Sequence, residues 1–67
     1  MLTQKDVLAA YLAGLLNIRL TSFLKWSERL TYIELQDMQY RIDQEGHGSP
    51  FHTKVLTAVV NGTAIEP

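Results

Sequence analysis

Cysteine is absent from this chain of 67 residues, which excludes disulfides, thiolate nucleophiles and cysteine-based zinc sites. A single domain of this length buries only about 60% of the surface that its unfolded form exposes. One core of this size rarely supplies more than about 3–5 kcal/mol unless a covalent bridge, a metal or a second subunit adds to it. Because disulfides are excluded, the sequence predicts that association between copies supplies the additional stability.

Charge is also sparse, and no apolar segment is long. Six basic and seven acidic residues leave a net charge of −1, so no overall field attracts nucleic acid or an anionic membrane. The longest nearly unbroken apolar segment, residues 7–16, is shorter than the about 20 residues that cross a bilayer. With 46% hydrophobic and 19% charged residues, the composition is typical of a globular chain. We expect one soluble, cytoplasmic domain over residues 1–67, with no membrane partner.

Residues that carry chemistry are few and scattered. The two histidines, His47 and His52, lie five positions apart, which matches no strong metal-ligand spacing. The serines lie in no glycine-rich strand-to-helix turn, and the carboxylates spread along a predicted helix as on a solvated surface. A helical chain of this size also has little room for a catalytic pocket. The sequence therefore predicts a protein that is not an enzyme and holds no metal or cofactor.

The strongest local signal is a helix start at Thr3. Its hydroxyl is placed to accept the N–H of Asp6, whose carboxylate is placed to accept the N–H of Thr3, which is a capping box. Leu2 and Val7 occupy the two positions of a hydrophobic staple. The helix that follows is apolar over a wide part of its circumference, so we expect neighbours on more than one side. Asn17 is suited to a left-handed cap at its end.

Residues 21–45 contain neither glycine nor proline, so nothing prevents a second helix of about six turns. Leu30 and Leu35 are separated by about 140° of rotation, so the apolar residues of this helix form two stripes. The first contains Phe23, Trp26, Leu30 and Ile33, and the second contains Leu35, Met38 and Ile42. One explanation is a continuous helix whose second half packs on another subunit. The other is a break near residues 29–31, for which Thr31 and Glu34 form a second capping box. The continuous helix is our preferred interpretation.

The last segment predicts a short third helix. Ser49 is suited to the N-cap and Pro50 to the first helical position, while Asn61-Gly62 would end the helix. The same dipeptide is also typical of a two-residue β-hairpin turn, which is the alternative. We prefer the helix because no other segment supplies a strand to support a lone hairpin. The predicted fold is all-α, with two long helices and a short C-terminal helix, and oligomeric.

The apolar stripes of the second predicted helix are the candidate binding surface for a protein partner. Trp26, flanked by cationic residues, has the character of a packed aromatic anchor. The candidate partner-binding residues are Phe23, Trp26, Leu30, Leu35, Met38 and Ile42. The sequence therefore predicts a small protein-protein interaction module, a self-associating regulator or inhibitor that binds a protein partner and forms a homo-oligomer.

DNA binding is the alternative function, and it depends on the cations of the same segment. Residues 6–25 can be aligned with a helix-turn-helix template. That template places Ala10 at the small residue of the first helix, Gly14 near the turn, and Leu20 and Phe23 on inward-facing positions of the second helix. The candidate nucleic-acid-binding residues are Arg19, Lys25 and Arg29.

Overall fold

The computed structural model describes residues 2–66 and contains four helices. They are α1 (Gln4–Leu16), α2 (Leu20–Ser27), α3 (Tyr32–Glu45) and α4 (Pro50–Asn61). Over this described range there is no strand, and no helix is long and apolar enough to cross a membrane. The all-α prediction is confirmed, whereas the prediction of two long helices and one short helix is wrong.

Helix α1 begins and ends as predicted. The Thr3 hydroxyl accepts the N–H of Asp6, and the Asp6 carboxylate accepts the N–H of Thr3, both at 3.1 Å. Two hydrogen bonds with Thr3 hold the pKa of the Asp6 carboxyl below its usual value. The bond from the Thr3 backbone has the larger effect, and the bond with the Thr3 side chain has the smaller one. At the other end Asn17 takes the left-handed conformation, with φ 58°. Both boundaries are therefore fixed by local hydrogen bonding.

The predicted long second helix is two helices, because the chain turns between Ser27 and Thr31. The N–H of Leu30 donates to the carbonyl of Ser27 at 2.9 Å. Thr31 then opens α3 with its capping box, since its hydroxyl accepts the Glu34 N–H at 3.1 Å and Glu34 accepts the Thr31 N–H at 2.9 Å. The box satisfies donors that a helix start otherwise leaves unpaired. The expectation of a continuous helix is therefore wrong.

Helix α4 is the predicted C-terminal helix, and the hairpin alternative is not adopted. The Ser49 hydroxyl accepts the N–H of His52 at 3.2 Å, and Pro50 occupies the first turn. Gly62 ends the helix in the left-handed region, with φ 68°, a conformation that costs glycine little. The dipeptide Asn61-Gly62 thus acts as a helix end.

All four helices contribute to one hydrophobic core. Helix α1 packs on α2 and α3, and α4 packs on the same two helices. Each helix supplies apolar residues at helical spacing, which is the pattern of elements that share a core. The buried members are Ala9, Leu12, Ala13, Leu16, Phe23, Trp26, Leu35, Met38, Ile42, Phe51, Val55 and Ala58.

The segment after α4 folds back over α2. The indole Nε1–H of Trp26 donates to the carbonyl of Thr63 at 2.8 Å. The Arg29 guanidinium donates to the carbonyl of Gly62 at 3.0 Å, and Ile65 packs against the core. The C-terminal segment is therefore attached to the end of α2 by two side-chain to backbone hydrogen bonds.

Candidate interaction site

The predicted partner-binding residues lie mostly inside the chain. Leu30 is half-buried against the core, and the remaining five are at most 4% exposed: Phe23, Trp26, Leu35, Met38 and Ile42. The break at Thr31 turns both apolar stripes toward one core, so the change of stripe is explained without a second subunit. The structure thus corrects the expectation that Leu35, Met38 and Ile42 form an interface, because they are core residues in this fold.

The apolar residues that do reach the surface include one face of α1. Val7 is 57% exposed and Tyr11 is 53% exposed, and Ala10 and Gly14 beside them are also exposed. We call these four residues the α1 face. Residues 7–16 carry no charged side chain, so this solvent-facing surface is apolar apart from the Tyr11 hydroxyl.

Two further apolar side chains border the α1 face. Leu2, 75% exposed, and Tyr32, 36% exposed, join Val7 and Tyr11 around a shallow groove of about 540 Å³. Because Tyr32 is the first residue of α3, the groove extends from one helix to the next. The all-round apolar character of α1 was visible in the sequence, but which face remains exposed depends on where α2 and α3 pack.

The cations of the DNA-binding alternative are exposed along α2. Arg19 precedes the helix, Lys25 lies in its last turn and Arg29 follows it. They border two adjoining cavities between α2 and the end of α4, which share Ser22 and the valines Val59 and Val60. We call this surface the α2–α4 groove. Its rim carries the three cations and one carboxylate, that of Glu28, and its floor is apolar.

The helix-turn-helix template is met at one of its two inward positions. Phe23 is fully buried, as the template requires. Leu20, however, is 47% exposed, although the template turns it inward. The three cations therefore share a surface along a helix that buries one of the two residues the template turns inward.

The outer surface of α3 combines apolar and acidic residues. Ile33, 70% exposed, and Tyr40, 64% exposed, lie seven residues apart and therefore on one side of the helix. Asp37 and Asp43 are exposed on the two flanks of this stripe. We call these four residues the α3 face. A continuous helix would place Ile33 on the stripe of Trp26, and the break at Thr31 is the reason that Ile33 points outward instead.

The two histidines meet at the start of α4 without forming a metal centre. Their rings pack edge to face with centroids 5.2 Å apart. The Gly48 N–H donates to Nδ1 of His52 at 2.7 Å, which places the proton of the neutral ring on Nε2. Across residues 2–66, no three histidine or carboxylate side chains converge on one point that could hold a metal ion. The geometry supports a local role for His52 in the loop before α4.

Comparison with protein-family models, with curated proteins and with solved structures finds no significant match.

Proposed function

We propose that this chain is a small, non-enzymatic protein-interaction module that self-associates through the α1 face. Only one side of α1 packs in the core, yet residues 7–16 carry no charged side chain on any side of the helix. This absence of charge from the solvent-facing side is the observation that supports the proposal most directly. Val7 and Tyr11 leave more than half of their surface in solvent. Contiguous exposed apolar surface is a mark of protein-protein interaction sites.

The properties of the α1 face favour a second copy of the chain as the partner. An uncharged apolar surface is complementary to itself, and two-fold symmetric dimers place the same surface on both subunits. Ala10 and Gly14 lie one turn apart, and the space beside Gly14 is open, with no atom beyond the adjoining backbone of α1 within 4 Å of where a β-carbon would lie. These small residues allow the axis of a facing helix to approach closely.

The size of the chain sets how much surface such a dimer has to bury. A standard interface takes about 800 Å² from each partner, which is about one sixth of the 4625 Å² accessible surface of this chain. One helix face is narrow, so Leu2 and Tyr32, which border it, are expected to be covered as well. The proposed interface therefore comprises the α1 face and this adjoining groove.

Replacing Tyr11 with glutamate is expected to separate the subunits at micromolar concentration. The change places a charge at the centre of the apolar interface, where desolvation of an unpaired carboxylate opposes association. Because Tyr11 is 53% exposed in the single chain, the variant should keep its helices. Sedimentation equilibrium measures the mass, and circular dichroism checks the fold.

Thr57→Glu is the matched control, since Thr57 is exposed on α4, away from the α1 face. It introduces the same charge and should leave the subunits associated. A wild-type chain that is monomeric at this concentration would contradict the proposal. A folded Tyr11→Glu variant that associates as well as the wild type would place the contact elsewhere.

DNA binding through α2 is the second candidate function, and it is favoured by the shared exposure of Arg19, Lys25 and Arg29. Lys25→Gln should then weaken binding to mixed duplex DNA and lower the slope of log affinity against log salt by about 1. Gel shifts at several salt concentrations measure this slope. Thr57→Gln, on α4, is the control that should leave the slope unchanged, and absence of binding at low salt would reject this candidate.

A further inference from the structure

We infer that the α2–α4 groove of one copy binds the α3 face of another copy, in a head-to-tail contact. This inference rests on the proposed self-association and adds to it a second interface with a defined occupant. The contact joins two different surfaces of the chain, whereas the α1 face pairs with itself.

The groove has the chemistry of a site for an acidic amphipathic helix. Val60 is 84% exposed, and with Val59 it supplies an apolar floor. Arg19, Lys25 and Arg29 supply the cationic rim. Grooves that bind helices take the apolar stripe on their floor and place complementary charges at the edge.

The α3 face presents the complementary pattern. Ile33 and Tyr40 are separated by about 10 Å along the helix axis, so two apolar side chains are available to contact the floor. Asp37 and Asp43 flank them on opposite sides. The other nearby carboxylates are engaged within the chain, because Glu34 accepts the Thr31 N–H and Glu45 pairs with Arg41 at 3.1 Å. The two aspartates are therefore the carboxylates that this face offers to a cationic rim.

The composition of the groove favours a protein helix over nucleic acid. The apolar floor, with Val60 exposed and Val59 half-buried, has no counterpart in a phosphate backbone. Arg29 already donates to the Gly62 carbonyl at 3.0 Å, which fixes its guanidinium at the end of the groove. A helix that combines apolar and acidic residues satisfies both the floor and the rim.

A charge exchange between the two surfaces tests this contact. All proteins carry Tyr11→Glu, so that the α1 face does not contribute, and they are measured at near-millimolar concentration. Lys25→Glu changes only the groove, and Asp37→Lys changes only the α3 face. In either variant alone, like charges face each other across the contact. Each variant alone should therefore associate about tenfold more weakly than the Tyr11→Glu parent. An equimolar mixture should associate again, because each partner contributes one intact surface. The chain carrying both exchanges keeps the net charge of the parent and should also recover association.

Nuclear magnetic resonance locates the contact in the mixture. When unlabelled Lys25→Glu protein is added to ¹⁵N-labelled Asp37→Lys protein, amide shifts are expected at Val59 and Val60, and they should shrink as salt is raised. A mixture that associates no better than its components would overturn the inference. It would also be overturned if these amides shift with duplex DNA and not with the partner variant. A failure of the proposed self-association through the α1 face is a separate result. It would appear as a Tyr11→Glu variant that associates as well as the wild type at micromolar concentration.

Discussion

Replacing Trp26 with alanine is expected to unfold the chain. Trp26 is 4% exposed, its ring centroid lies 5.6 Å from that of Phe23, and its indole N–H holds the Thr63 carbonyl. Removing a buried tryptophan side chain costs about 3–5 kcal/mol, which is comparable with the whole free energy of unfolding expected for a domain of this size. Far-UV circular dichroism of the variant should show loss of helix.

Trp26→Phe separates the packing of the indole from its hydrogen bond. Phenylalanine keeps most of the aromatic contact but leaves the Thr63 carbonyl without its donor, a loss of about 1 kcal/mol. This variant should fold with a lowered melting temperature. A fully folded Trp26→Ala protein would contradict the assignment of Trp26 to the core and would return it to the surface role that its cationic neighbours suggest.

The second large effect is expected for Met38→Asp, which should also unfold the chain. Met38 is 3% exposed among core residues of α3. The substitution removes packing worth about 2–5 kcal/mol, and the aspartate must either ionise in an apolar site or fold in its neutral form. If Met38 instead belonged to an oligomer interface, the variant would stay helical and only its mass would fall. Circular dichroism combined with sedimentation distinguishes the two outcomes.

Ile33→Asp is the matched control for this experiment. It places the same carboxylate on the same helix, but Ile33 is 70% exposed, so the helical content should be unchanged. Its association should weaken at the α3 face only. Unfolding of Ile33→Asp together with Met38→Asp would show that the effect comes from the charge on α3 and not from burial.

Local hydrogen bonding made the helix ends predictable from the sequence. Thr3 with Asp6, Asn17, and Ser49 with Pro50 each define a boundary within a few residues of chain, and the structure places helix boundaries at all of them. The information needed for these positions lies in side chains next to the backbone groups that they satisfy.

The break at Thr31 required a choice between two physical explanations of one pattern. The 140° change between the stripes of Leu30 and Leu35 fits either a second subunit or a change in chain direction. The capping box of Thr31 and Glu34 was visible, but it does not by itself show that the chain turns. The direction is decided by packing, because Trp26 and Leu35 reach one core only when α2 and α3 are separate.

Which apolar residues of this segment are expected at the surface depends on whether residues 21–45 form one helix or two. Treating residues 21–45 as one helix directed Leu35, Met38 and Ile42 outward and Ile33 inward beside Trp26. Two separate helices reverse these directions, as the exposure of Ile33 and the burial of Met38 show. The exposure of Arg19, Lys25 and Arg29 depends less on the break, because these long cationic side chains reach solvent from either arrangement.

The hydrogen bonds that hold the C-terminal segment have a consequence for how its sequence can vary. Trp26 and Arg29 both donate to main-chain carbonyls, those of Thr63 and Gly62, and every amino acid presents that same oxygen. These two hydrogen bonds therefore depend on the position of the backbone and not on which side chain position 63 carries. Position 62 is the exception, because its left-handed φ of 68° determines where both carbonyls lie. A substitution there would shift the Thr63 carbonyl and so disturb its hydrogen bond with Trp26, without any contact between the new side chain and the indole.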